Sequence, residues 1–197
     1  MPAEGHVFLD AGTTCLALAR VLADRGPLTV VTRGLETALL LARAPRIRVI
    51  MLGGQVQSLS HGVAGALSEV ALARLAFDVA FLGADTVDAG RGLGEPTVEE
   101  TYVKELVAGR SEKVVLLADS SKFVPANAPA WTPIGTSWTV LTDWGSIPRP
   151  WPTSGAGGQR GGGGLRWRRA ICRETRSSRS LASAMQRSTS GSSAVRG

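Results

Sequence analysis

Short apolar runs alternate with helical patterns along most of the chain, and this alternation constrains the fold more than any other feature. The runs are short, continuous and rich in β-branched residues, which is typical of strands buried on both faces of a parallel sheet. They cover residues 7–9, 28–32, 47–52, 79–82 and 114–118, with a further candidate at 138–141. Helical patterns at 15–24, 35–44, 67–75 and 97–108 fill the intervals. The sequence therefore predicts an α/β fold with an open, mostly parallel sheet and helices on both faces.

Polar and glycine residues are concentrated just after these runs. The segments are Asp10-Ala11-Gly12-Thr13-Thr14, Thr32, Gly53-Gly54, Gly83-Ala84-Asp85 and Asp119-Ser120-Ser121-Lys122. The carboxyl ends of parallel strands meet at one edge of the sheet, where open α/β proteins bind their ligands. Gly12 allows close backbone approach, and Thr13 and Thr14 add hydroxyls beside a helix N-terminus, which suits an anion such as phosphate. We predict a ligand cleft at this edge.

Several of these residues allow two interpretations. Asp10 is either a turn former or an acceptor for sugar hydroxyls; in the second case Asp10→Ala, like Asp85→Ala, should abolish binding and leave the fold intact. Arg33 either contacts phosphate or points to solvent, and we favour solvent. Asp85 and Asp88 suit acid–base chemistry, sugar recognition or a structural loop. Lys104 lies four residues after Glu100 and is either an exposed partner of that carboxylate or a phosphate-facing amine.

The charge of the chain is divided very unevenly. Residues 1–147 carry a net charge of −3, whereas residues 148–197 carry +9, with ten arginines and no lysine. The second segment is rich in Gly, Arg and Ser, and we predict a disordered tail, which a shifted reading frame would explain. Nonspecific binding of nucleic acid by this tail is a third functional hypothesis, behind a sensor and an enzyme.

Other function classes are disfavoured by what the sequence contains. Cys15 and Cys172 lie in segments of different character, so we expect neither a disulfide nor a metal site. His61 occupies a polar loop and is expected to be exposed. No apolar run approaches the roughly 18 residues of a membrane span, and the first residues do not resemble a secretion signal. We expect a cytoplasmic protein without a cofactor.

The order of these motifs resembles the C-terminal sensor domain of DeoR-family bacterial transcriptional regulators over roughly residues 7–143. The motifs are Phe8-Leu9-Asp10-Ala11-Gly12-Thr13-Thr14, Leu28-Thr29-Val30-Val31-Thr32, Leu52-Gly53-Gly54, Phe81-Leu82-Gly83-Ala84-Asp85, Glu99-Glu100 with Lys104, and Leu117-Ala118-Asp119-Ser120-Ser121-Lys122-Phe123. One departure is Arg33-Gly34, where the family usually has Asn-Ser. The resemblance implies a sensor domain at residues 1–147, followed by the tail at 148–197.

The resemblance also carries expectations about fold, ligand and assembly. It implies the fold shared by ribose-5-phosphate isomerase and the CoA-transferases, a phosphorylated sugar or polyol as effector, and self-association. The effector-binding residues it implies, together with the strand-end reading, are Asp10, Gly12, Thr13, Thr14, Thr32, Gly53, Gly54, Gly83, Asp85, Glu99, Glu100, Lys104, Asp119, Ser121 and Lys122. Of Glu99 and Glu100, one is expected to face the cleft.

Two questions separate a sensor from its alternatives. The first predicted strand begins six residues after Met1, which leaves no room for the family's helix-turn-helix, so we expect no specific DNA binding by this chain. A sugar-phosphate isomerase of the ribose-5-phosphate isomerase type is the enzymatic alternative. The isomerases place a lysine after their paired aspartates, whereas residues 89–96 contain no lysine and Arg91 is a poor proton donor. We therefore favour a sensor without catalytic residues.

Overall fold

A parallel sheet of seven strands forms the centre of the molecule. The structure is a computed structural model that describes residues 5–123, 126–143 and 166–169. Its strands are β1 (Gly5–Leu9), β2 (Leu28–Thr32), β3 (Ile47–Met51), β4 (Gln55–Val56), β5 (Val63–Ala64), β6 (Val79–Leu82), β7 (Thr86–Asp88), β8 (Gly92–Glu95), β9 (Val114–Leu117), β10 (Ala130–Thr132), β11 (Thr139–Thr142) and β12 (Arg166–Arg169). The strand order in the main sheet is β12-β11-β9-β6-β1-β2-β3, with every pairing parallel.

Helices cover both faces of this sheet. They are α1 (Thr13–Leu22), α2 (Leu35–Leu41), α3 (Ala66–Leu72) and α4 (Val98–Gly109), and a short 3₁₀ helix spans Ser120–Phe123. Alternate residues of β1 enter different cores: Val7 and Leu9 pack in the cluster that includes Leu18 of α1, and Phe8 in the cluster that includes Val103 of α4. This period of two is what a strand buried on both faces requires. The predicted α/β class, with its open parallel sheet and helices on both faces, is confirmed.

Two small antiparallel sheets lie outside the main one, in segments for which no strand was predicted. β7, β8 and β10 form one sheet in the order β10-β8-β7, and β4 pairs with β5. Strand propensity does not predict β8, because two of its residues are glycine and glycine is depleted in strands. Here it is required: a Cβ on Gly94 would lie 2.5 Å from Cγ2 of Thr86 and 2.6 Å from Cβ of Ala128. β8 is therefore a strand because its glycines let the neighbouring segments approach.

The predicted element boundaries differ from the observed ones by a few residues. The difference that matters most for the site is at α1, which begins at Thr13 rather than at residue 15. Gly12 is its N-cap and turns the chain there with φ 95°. This brings Thr13 and Thr14 into the first turn. No helix among the described residues is long and apolar enough to cross a membrane.

Four residues of the predicted tail form a strand. β12 (Arg166–Arg169) pairs in parallel with β11, with Thr139 opposite Arg166 and Thr142 opposite Arg169. The physical reason is that β11 would otherwise be an edge strand with unpaired backbone groups, which any extended segment can satisfy. The rest of the predicted tail at 148–197 lies outside the described residues.

Candidate functional site

Asp10 ties together the carboxyl ends of two neighbouring strands. It directly follows β1 and is completely buried. Its Oδ2 accepts a hydrogen bond of 3.0 Å from the backbone N–H of Gly83, which follows β6, and its Oδ1 accepts one of 2.8 Å from the N–H of Ala11. Backbone N–H groups at the ends of adjacent parallel strands are close enough for one carboxylate to bridge them.

Two buried cations complete the surroundings of this carboxylate. Nε of Arg33 lies 2.5 Å from Oδ1 of Asp10, and Nζ of Lys104 lies 2.6 Å from Oδ2. Burial by itself would raise the pKa of Asp10, but the two cations outweigh it and hold that pKa well below its usual value. Burial likewise disfavours a charged Lys104, yet the carboxylates of Asp10 and Glu95 keep its pKa above the usual value. All three groups therefore stay charged at neutral pH.

Two further carboxylates surround the cations. Oε1 of Glu100 accepts hydrogen bonds from Nη1 of Arg33 at 3.1 Å and from Oγ of Ser60 at 2.9 Å. Oε1 of Glu95 lies 3.0 Å from Nζ of Lys104 but is not aligned for a hydrogen bond. We call Asp10, Arg33, Glu95, Glu100 and Lys104 the charge cluster; no member is more than 4% exposed.

The local sequence explains why Glu100 rather than Glu99 joins the cluster. Thr97 is the N-cap of α4 and its Oγ1 accepts a hydrogen bond from the N–H of Glu100 at 3.2 Å. The Glu100 side chain returns to the same hydroxyl, with Oγ1 of Thr97 3.2 Å from Oε2. This capping arrangement fixes the start of α4 and turns Glu100 inward, while Glu99 is exposed.

A cleft of about 120 Å³ opens above the charge cluster. One wall is the N-terminus of α1, where Gly12 provides no side-chain cap, so the first N–H groups of the helix have no partner from a capping side chain. Lys122 also lines the cleft. The lining residues are Ala11, Gly12, Thr13, Thr14, Arg33, Leu59, Ser60, Gly83, Ala84, Asp85, Glu95, Lys104 and Lys122. The cleft thus combines helix N–H groups, hydroxyls, carboxylates and one amine at the rim.

Seven of the fifteen residues predicted to bind an effector line this cleft. They are Gly12, Thr13, Thr14, Gly83, Asp85, Lys104 and Lys122. Asp10 and Glu100 lie next to them as members of the charge cluster, bonded to lining residues. The six others do not line it: Thr32, Gly53, Gly54, Glu99, Asp119 and Ser121. Whether the lining residues contact an effector remains a prediction.

Thr32, Gly53 and Gly54 serve the strand ends instead of the cleft. Oγ1 of Thr32 accepts a hydrogen bond from the N–H of Gly34 at 3.1 Å, and the carbonyl of Gly53 accepts one from Oγ of Ser68 at 2.5 Å. Gly54 has φ 145°, and a Cβ there would lie 2.4 Å from the carbonyl oxygen of Ala64. These contacts account for the three residues by turn geometry, and their binding of an effector stays a prediction.

Acidic residues in the remaining loops bind their own backbone. Asp119 accepts hydrogen bonds from both the N–H, at 3.0 Å, and the hydroxyl of Ser121. Asp88 accepts from the N–H groups of Gly90 and Arg91, each at 2.9 Å, and does not line the cleft. Of the interpretations left open for Asp88, the structure supports the structural loop.

The expectation that Arg33 points to solvent is wrong. The side chain is 2% exposed and turns inward because Asp10 and Glu100 together offer its guanidinium two carboxylate oxygens. Gly62 makes room for it: a Cβ there would lie 2.6 Å from Nη1 of Arg33. The alternative of an exposed Glu100–Lys104 pair is also wrong, since Lys104 is buried and pairs with Asp10 and Glu95.

Six lining residues are not among the fifteen predicted ones. Ala11 and Ala84 lie inside the predicted strand-end segments, and Arg33 was expected in solvent; the other three are Leu59, Ser60 and Glu95. Ser60 and Leu59 come from the polar loop between β4 and β5, and nothing in their sequence distinguishes them from solvated loop residues. Glu95 carried a usable signal. The glycines of Gly92-Leu93-Gly94 indicate close packing against neighbouring segments, and an acidic residue directly after them is therefore expected to lie beside those segments. His61 is exposed as expected, and its Nδ1 contacts the carboxylate of Glu36.

The site offers little for proton transfer between carbons. Lys104, the buried amine, donates to Asp10 and, at 2.9 Å, to the carbonyl of Gly83, and its remaining contact is the ion pair with Glu95, so the amine is held by protein acceptors. Arg91, the cation after the aspartates, stacks over the ring of Trp131 with its Cζ 4.0 Å from the centroid, and it does not line the cleft. The arrangement suits binding of a polar anion better than enolisation.

Comparison with known proteins agrees with this picture. The transcriptional regulator GolR of Listeria innocua is 38% identical over 137 residues, which cover 70% of this chain and 54% of the relative. The regulator GlpR of Haloferax volcanii is 36% identical over 121 residues, covering 61% and 47% of the two chains. A putative aga operon transcriptional repressor of Escherichia coli O157:H7 is 32% identical over 120 residues, covering 60% and 45%. The chain spans about half the length of the curated relatives it matches.

Among solved structures, ribose 5-phosphate isomerase A of Neisseria gonorrhoeae is similar, with a TM-score of 0.43 and 25% identity over 63% of this chain and 48% of the other. The isomerase of Methanocaldococcus jannaschii gives a TM-score of 0.41 and 19% identity over 60% and 46%. The family described as the DeoR C terminal sensor domain matches residues 2–143. That match covers most of the chain, and the protein belongs to the DeoR C-terminal sensor domain family of transcriptional regulators.

Proposed function

We propose that the cleft binds a phosphorylated sugar or polyol, and that this compound is the effector of the regulator. The observation that carries the proposal is the pairing of two chemistries in one cleft: an uncapped helix N-terminus with a lysine at the rim, and buried carboxylates below. A phosphorylated polyol presents the matching groups, a dianion at one end and hydroxyl donors at the other.

The phosphate is assigned to the rim formed by α1. The first N–H groups of a helix carry partial positive charge and lack partners within the helix, so they bind anions. Thr13 and Thr14 add hydroxyl donors, and Lys122, which lines the same cleft, adds a full positive charge. Lys122 is partly exposed and makes no side-chain hydrogen bond to the described residues, so its amine is available to a ligand.

The carbon chain with its hydroxyls is assigned to the acidic side of the cleft. Asp85 and Glu95 supply carboxylate acceptors, and Ser60 supplies a hydroxyl already oriented by Glu100. Hydrogen bonds between hydroxyls and ionised carboxylates are stronger than neutral ones, which favours a polyhydroxy ligand over an apolar phosphate ester. Isomerase activity is not favoured, because Lys104 is engaged by protein acceptors, Arg91 does not line the cleft, and the remaining amine, that of Lys122, is assigned to the phosphate.

The biological output follows from the relatives. They are transcriptional regulators about twice as long as the aligned region, so effector binding here is proposed to control a regulator's affinity for DNA. Assembly into dimers or tetramers and a cytoplasmic location are part of this proposal.

Calorimetric titration with a panel of phosphorylated sugars and polyols tests the proposal. We expect a dissociation constant in the micromolar range for at least one compound, roughly −8 kcal/mol of binding free energy. Lys122→Ala should weaken it about tenfold, since one charge-assisted contact is lost. Lys113→Ala is the matched control, because it removes an exposed lysine away from the cleft. Flat titrations across the panel would overturn the proposal.

A further inference from the structure

Glu95 is held in the cleft by a strand rather than by a loop. It ends β8, the middle strand of the small sheet, and pairs in register with Ala130 of β10. Its neighbour Gly94 is packed so closely between Thr86 and Ala128 that no side chain fits there. The backbone at Glu95 therefore has little freedom, and its side chain enters the cleft from a fixed position.

One oxygen of this carboxylate lacks a hydrogen-bond donor. Oε1 of Glu95 is buried without a hydrogen bond among the described residues, although Nζ of Lys104 lies 3.0 Å away. The Lys104 amine donates instead to Asp10 and to the carbonyl of Gly83. Most buried polar atoms in proteins make a hydrogen bond, so this oxygen, which has an ion-pair contact with Lys104 but no aligned donor, has the capacity to accept one from a ligand.

The charges around this oxygen define what that partner can be. The charge cluster contains three carboxylates and two cations, and both cations already contact other carboxylates. A ligand hydroxyl would supply the missing donor at no charge cost. A ligand carboxylate would instead place a second negative charge beside Glu95 with only Lys104 to compensate for both, in a site where water screens poorly.

We propose that Glu95 is a specificity-determining residue, which accepts a hydrogen bond from an effector hydroxyl and rejects effectors that carry a carboxylate at the same place. The proposal rests on the proposed function, in that the phosphate occupies the α1 rim. It narrows the effector class to phosphorylated sugars and polyols, and excludes phosphorylated sugar acids.

The test uses two ligands that differ only at one end, erythritol 4-phosphate and 4-phosphoerythronate, with inorganic phosphate as the probe of the rim alone. Calorimetry on the full chain should show at least tenfold tighter binding of the alcohol than of the acid. This comparison needs no variant, so it does not depend on how a substitution affects folding. Equal affinities for the two ligands would overturn the proposal and leave the proposed function standing.

Two variants then assign the discrimination to Glu95. Glu95→Gln keeps the shape and the acceptor but removes the charge, so the acid should bind about tenfold tighter than it does to the unaltered chain. Glu95→Ala removes the acceptor, so affinity for the alcohol should fall about tenfold, while that for inorganic phosphate stays the same. Glu105→Gln, on the exposed side of α4, is the matched control and should change none of these values.

The remaining outcomes are also decisive. If Glu95→Gln binds inorganic phosphate normally and still rejects the acid, the discrimination comes from elsewhere and the proposal is wrong. If the unaltered chain binds none of the three probes or the wider panel, the proposed function fails and this inference fails with it.

Discussion

The floor and the rim of the cleft are built from the same part of the fold but differ in how their polar groups are satisfied. The floor is the charge cluster, whose members are almost fully buried and bond to one another. At the rim, the side chains of Thr13, Thr14 and Lys122 make no hydrogen bond or ion pair with the described residues. The difference indicates that the floor contributes mainly to stability and orientation, apart from Glu95, which lines the cleft and whose Oε1 makes no hydrogen bond among the described residues, whereas the rim is left free for a ligand.

The largest expected effect comes from removing the central charge of the floor. Asp10→Asn should lower the free energy of unfolding by about 3–5 kcal/mol, because it leaves the buried cations Arg33 and Lys104 short of a carboxylate. This expectation replaces the one made from the sequence, that Asp10→Ala would leave the fold intact. Urea unfolding followed by circular dichroism measures the change.

Asp85→Asn is the control for this experiment. Asp85 is exposed and lines the same cleft, so its substitution should change stability by less than about 0.5 kcal/mol. If the two variants proved equally stable, the floor would be no more structural than the rim and the comparison would break.

A smaller loss of stability is expected from a substitution that crowds the floor without changing its charge. Gly62→Ala would place a Cβ 2.6 Å from Nη1 of Arg33 and 2.7 Å from Cβ of Ala11, so one of the two must move. We expect a loss of about 1–3 kcal/mol, typical of overpacking. Gly109→Ala, at a position with no atom within 4 Å, is the control and should not be destabilising. Unchanged stability of Gly62→Ala would show that the Arg33 side chain is loosely held.

The smallest effect is a pH dependence that separates the floor from ordinary surface carboxylates. The pKa of Asp10 is lower in the folded than in the unfolded chain, so its stabilising contribution is present above the unfolded value of 3.8 and is lost as pH falls. Between pH 5 and pH 3 the unaltered chain should lose about 1 kcal/mol more stability than Asp10→Asn. Unfolding titrations at the two pH values measure the difference, and identical losses would argue against a charged floor.

The sequence predicts the sheet and the location of the site better than it predicts the contacts within the site. The burial of β-branched runs such as Leu28–Thr32 can be predicted from their own composition. The polar residues after them indicate the sheet edge at which a ligand site is expected. Whether Arg33 points inward depends on carboxylates from Asp10 and Glu100, which are distant in sequence, and on the missing side chain of Gly62. Local pattern contains none of this information.

The position of Glu95 likewise could not be predicted from local sequence pattern. Its strand consists largely of residues with low strand propensity, so only tertiary packing reveals it as ordered. Conversely, the strong glycine signal at Gly53-Gly54 leads away from the cleft, because turns and ligand sites demand the same residue for different reasons.

The charge cluster also has a consequence for the order in which the chain folds. Asp10 and Lys104 are 94 residues apart, and Arg33 and Glu100 are 67 residues apart, so these ion pairs require α4 to be docked against the strand ends that carry Asp10 and Arg33. Contacts of such long range carry a large entropic cost of loop closure and tend to form late. Weakening them should leave the refolding rate nearly unchanged and accelerate unfolding. We therefore expect the charge cluster to set the lifetime of the native state.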